Sequence, residues 1–95
     1  MPKYPQNSFT ITRAHCTYEV SEVYSFPVLI GFPMFTLTVL AGEATLRKRF
    51  RFFWSNKMVE TIFEIADLAN VDPDVIKSDI DDVMERLEQV FRERS

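Results

Sequence analysis

At 95 residues the chain has room for one domain built on one core. An apolar fraction of 46% and an aromatic fraction of 14% exclude a disordered chain, and a net charge of −3 argues against a general nucleic-acid binder. The lone cysteine, Cys16, excludes an internal disulfide, and no signal-peptide pattern follows Met1-Pro2-Lys3, so a reducing, cytoplasmic setting is expected.

Ser8 to Thr12 alternates polar and apolar residues, the mark of a half-buried strand. Cys16, Tyr18 and Val20 continue the alternation with its parity shifted, which predicts a bulge or tight turn at Arg13-Ala14. Phe26-Pro27 to Phe32-Pro33 is apolar and bracketed by prolines, as an edge strand or extended loop would be. Two strands then follow, Met34 to Leu40 and Ala44 to Trp54, joined by a hairpin at Ala41-Gly42-Glu43. Phe35, Leu37 and Val39 share one face with Leu46, Phe50, Phe52 and Trp54. Thr36 and Thr38 share the other with Thr45, Arg47, Arg49 and Arg51.

Ser55-Asn56 suits a helix N-cap. Met58, Val59, Ile62, Phe63, Ile65, Ala66 and Ala69 form a broad apolar stripe behind it, and Asn70-Val71 closes the helix. A second helix opens with Asp72 as cap and Pro73 at its first position. It runs to about Arg92 on the seam Ile76, Ile80, Val83, Leu87, Val90. Strands first and helices last predict an α+β two-layer sandwich. Three or four antiparallel strands in residues 1–54 are covered on one face by two helices in 55–95, all in a single domain.

Chemistry is sparse. His15 and Cys16 are the sole histidine and cysteine, and on a strand adjacent side chains point apart, so a buried Cys16 and a surface His15 are expected. One His and one Cys fall short of a metal-ligand set, and no glycine-rich phosphate loop or nucleophile elbow occurs. No enzyme, metal or cofactor is expected.

Charge is distributed unevenly. Residues 1–54 carry six Lys and Arg against three Asp and Glu, and residues 55–95 carry five against eleven. The halves therefore have net charges of +3 and −6. Arg47, Arg49 and Arg51 form a basic strand face able to meet phosphates or a partner. Asp74, Asp81, Asp82 and Glu85, with few internal partners, form an acidic face that suits a basic protein surface. The first expectation is a small binding protein acting on a macromolecular partner as regulator, inhibitor or assembly subunit, a class that includes small phage and mobile-element inhibitors. A nucleic-acid or nucleotide binder using the Arg face ranks second, and homo-oligomerisation is open to a chain so charged. The uncharged run Val23 to Gly42 is long enough for a membrane span and supplies a third and weakest expectation, a membrane-associated subunit, but Pro27, Gly31 and Pro33 make two buried strands the better account.

Overall fold

The computed structural model describes residues 8–25, 33–51 and 55–94. Strands β1 (Phe9–Thr12), β2 (Thr17–Ser25), β3 (Pro33–Ala41) and β4 (Ala44–Phe50) precede helices α1 (Asn56–Ala69) and α2 (Pro73–Arg94). The strands form one antiparallel sheet in the order β1-β2-β3-β4, each paired with its neighbour in sequence. Both helices cover one face of this sheet, giving the α+β two-layer architecture the sequence predicts.

Period-two alternation decides which face is covered. Tyr18, Val20, Phe35, Leu37, Val39 and Phe50 point inward and are fully buried, and Phe35 and Phe50 stack across the β3–β4 pair with centroids 5.3 Å apart. From the helices come Met58, Ile62, Ile65, Ile76, Ile80, Val83 and Leu87. α1 packs against β3 and β4, whereas Arg86 of α2 lies over the ring of Phe9 on β1, 5.7 Å from its centroid. Phe52 and Trp54, assigned to the same apolar face from sequence, lie outside the described residues, as does 26–32.

Local chemistry accounts for the turns. Gly42 has a positive φ of 64° at the first position of the two-residue β3–β4 turn, where a side chain would be strained. The parity shift at Arg13-Ala14 is a tight turn, closed by the Arg13 N–H donating to the Cys16 carbonyl at 2.8 Å. A bulge does exist, but further along: between Ser21 and Tyr24 β2 advances by one residue more than β3. Glu22 takes the left-handed conformation there, at φ 52°. Val20 and Val23, three apart, consequently both face the core.

Both helices start as predicted. The Ser55 hydroxyl accepts from the Met58 N–H at 3.3 Å, and Asp72 Oδ1 accepts from the Asp74 N–H at 2.9 Å. α1 ends at Asn70, which adopts the left-handed conformation and bonds back to Ala66 and Asp67. Asp72→Ala should cost about 1 kcal/mol in urea denaturation, the usual loss on removing such a cap. An unchanged midpoint would place the start of α2 elsewhere.

One correction concerns exposure. Val59 and Phe63, placed on the apolar stripe of α1 from sequence, are 48% and 58% exposed. The stripe is narrower because only the side of α1 turned toward the sheet and α2 is covered; Val59 and Phe63 stand on its flank. The uncharged run 23–42 supplies the end of β2 and all of the interior strand β3, whose neighbours on both sides explain why β3 carries no charge. Among the described residues no helix is long and apolar enough to cross a membrane.

Candidate functional site

Three charged arrangements emerge, and two of them contain a residue that sequence reasoning overlooked. The first lies on the uncovered face of the sheet. Cross-strand register sets Thr36 opposite Arg49 and Thr38 opposite Arg47, so hydroxyls and guanidiniums alternate across β3 and β4 as expected. Arg51 is exposed just beyond β4. The bulge then adds Glu22, whose carboxylate accepts from the Thr36 hydroxyl at 2.7 Å and from Arg47 and Arg49, each at 3.4 Å. Thr36 is only 2% exposed beneath these groups. Its hydroxyl above all, then Arg47 and Arg49, holds the Glu22 carboxyl below the usual glutamate range. Glu19 stands beside Thr38 in the same register row, so Arg47 and Arg49 share their face with two carboxylates.

The second arrangement is the solvent face of α2. Asp74, Asp81, Asp82 and Glu85 are all exposed there. The expectation that they have few partners needs correction: Asp81 pairs with Lys77 one turn away at 3.8 Å, and Asp82 pairs with Arg13 of the β1–β2 turn. The first is a helical i,i+4 contact, and the second reaches across the fold to a turn that sequence spacing does not bring near. Asp74 and Glu85 form no ion pair among the described residues. Beside the start of α2 a shallow cleft of about 270 Å³ is lined by Phe63, Ala66, Asp67, Asn70, Val71 and Pro73. Exposed Phe63 thus stands next to the acidic first turn of α2.

The third arrangement was not foreseen. Asp79 lies on the sheet side of α2 with its side chain 8% exposed. Its Oδ1 accepts from Arg13 Nε at 3.1 Å, and its Oδ2 accepts from the Tyr18 hydroxyl at 2.7 Å and meets His15 Nε2 at 2.6 Å. Cys16 is buried beside them. The sulfur, the imidazole and the carboxylate all fall within 4.8 Å of one another. This contradicts the expectation that His15 and Cys16 point apart with His15 at the surface. Strand alternation does not apply to them, because both occupy the turn between β1 and β2. The His15 side chain is only 19% exposed.

Burial pushes the Cys16 thiol up from its ordinary range, and its hydrogen bond with Tyr18 only partly opposes this. Burial likewise, reinforced by Cys16 and Asp79, drives the Tyr18 hydroxyl far above the usual tyrosine range. Burial thus disfavours the thiolate that a cysteine nucleophile requires, despite the His and Asp beside it. The immediate role of the cluster is to tie the β1–β2 turn to α2. A signal for Asp79 did exist: it interrupts the Ile76–Ile80–Val83 seam at a position where an acid needs a buried partner. No protein-family model, no curated protein and no solved structure matches this chain, so its fold and its candidate sites stand on their own geometry.

Proposed function

We propose that this protein is a small non-enzymatic binding module that docks a basic surface of a protein partner on the solvent side of its helices, serving as a regulator, inhibitor or assembly subunit. The observation that carries the proposal is an imbalance between its two charged faces. The arginine face is largely neutralised from within, since Glu22 is bonded to both Arg47 and Arg49 and Glu19 stands in the same sheet. The helical half keeps a net charge of −6, with Asp74, Asp81 and Glu85 open to solvent. Charge complementarity of that size steers a cationic partner and rejects an anionic one.

An apolar anchor adds short-range affinity. Phe63 and Val59 are exposed on α1 among Glu60, Glu64 and Asp67, and Phe63 lines the cleft at the start of α2. An exposed aromatic rimmed by carboxylates suits a partner that offers an apolar side chain flanked by Lys or Arg.

Capture from lysate with three immobilised forms tests the reading. One is wild type, one carries Asp74→Asn, Asp81→Asn and Glu85→Gln, and one carries Arg47→Ser, Arg49→Ser and Arg51→Ser. Asp82 is left in place because it holds Arg13. A partner retained by the wild type and the arginine variant, but lost at least tenfold from the acidic variant, is the expected result. Loss from the arginine variant alone, with binding falling steeply in salt, would transfer the function to a polyanion on the sheet face.

A further inference from the structure

The turn–helix cluster holds one cysteine, one histidine and one aspartate whose ligand atoms already converge, and structural tethering does not require that set. Arg13 and Tyr18 alone would anchor Asp79 to the turn, with Oδ1 and Oδ2 each taking one hydrogen bond. Cys16 adds no further bond to Asp79 among the described contacts, yet its sulfur lies within 4.8 Å of both the imidazole and the carboxylate.

We propose that Cys16, His15 and Asp79 form a binding site for a zinc-class divalent cation, with solvent supplying the fourth ligand. A thiolate, an imidazole and a carboxylate are the donors that select zinc and its neighbours in the first transition row; magnesium and calcium require oxygen donors throughout. Ligand atoms around a tetrahedral zinc stand about 3.3–3.8 Å apart, as bond lengths of ~2.0–2.3 Å require. From separations within 4.8 Å, the sulfur needs to close by at most about 1.0–1.5 Å, while the His15 Nε2–Asp79 Oδ2 pair, now 2.6 Å apart, opens by about 0.7 Å to admit the ion.

Rigid elements supply all three donors: a turn closed by the Arg13–Cys16 hydrogen bond, and a helix that faces it. The exposed edge of the His15 ring gives the ion a way in. On binding, the thiol proton of Cys16 leaves to solvent, and the imidazole carries its single proton on Nδ1 so that Nε2 takes the metal. The cation takes over the Oδ2 position that His15 Nε2 now faces, while Arg13 Nε keeps its bond to Oδ1 and orients the carboxylate. One divalent cation with one thiolate and one carboxylate is electrically neutral, and the charge of Arg13, which stays bonded to Asp79, is met by Asp82.

Cobalt(II) is the spectroscopic probe, titrated into the full chain after chelator treatment. One equivalent should raise a thiolate-to-cobalt charge-transfer band in the near ultraviolet together with visible bands of tetrahedral intensity, and zinc should abolish both. Cys16→Ser should lose the charge-transfer band, and His15→Ala should weaken cobalt binding at least tenfold. Both variants are to be checked as folded by circular dichroism. Zinc should also raise the melting temperature of wild type and leave that of Cys16→Ser unchanged. Absence of the band from folded wild-type protein, or an equal thermal shift in Cys16→Ser, would overturn the proposal.

Discussion

Asp79→Ala is expected to destabilise the metal-free protein by about 3 kcal/mol, near the lower end of the loss when one member of a buried ion pair is removed. The carboxylate accepts from Arg13 and Tyr18 and meets His15, and it joins the β1–β2 turn to a helix more than sixty residues away. Without it the Tyr18 hydroxyl, on a side chain with no solvent exposure, loses its acceptor, a cost of ~1–3 kcal/mol by itself. Arg13 softens the total, because it is 34% exposed and can turn toward Asp82 or water. Asp82→Ala removes a partner of the same guanidinium from an exposed position and should cost under ~1 kcal/mol. Equilibrium denaturation in urea checks both. Equal losses for the two variants would mean that the buried network adds nothing beyond a surface ion pair.

The second large effect is Phe50→Ala, expected to cost about 3–5 kcal/mol. Phe50 is 1% exposed, stacks on Phe35 across the strand pair, and lies beneath the Lys57 ammonium, 5.4 Å from the ring centroid. Lys57 also donates to the Arg49 carbonyl at 2.5 Å, so it ties the first turn of α1 to the end of β4. Truncation opens a cavity at the junction of sheet and helix, where α1 is fixed by both its cap and this contact. For a domain with about 5–10 kcal/mol in hand, such a loss removes a large part of its stability. A thermal midpoint equal to that of wild type would show that Phe50 is not in the core, and the assignment of sheet faces would fall with it.

What could be read from sequence was local, and what could not was long-range. The Asp72 cap, the Gly42 turn, the Ser55 start and the alternation that sets Thr36 on the face of Arg49 and Leu37 on the other depend on neighbours within a few residues, and each forms as expected. Asp79 and Glu22 depend on partners 61–66 and 14–27 residues away, and spacing along the chain does not pair them. Both nevertheless left traces: an acid within an apolar helical seam, and the pair Val20 and Val23 three apart where alternation requires two or four. The same distance effect governs the candidate sites. The acidic and basic rows were visible as sequence, whereas the neutralising role of Glu22 and the pairing of Asp82 with Arg13 required the fold. His15 and Cys16 were misjudged because strand geometry was extended into a turn.

Carboxyl footprinting of the chain, free and bound to the partner that it captures, tests the central claim most directly. Water-soluble carbodiimide labels exposed Asp and Glu, and mass spectrometry reads each position. If the helical face is the docking surface, Asp74, Asp81 and Glu85 lose at least severalfold of their labelling in the complex, while Glu19 and Glu22 on the sheet react as in the free protein. Protection of Glu19 and Glu22, with the three helical carboxylates still fully labelled, would contradict the account and move the binding surface to the opposite side of the molecule.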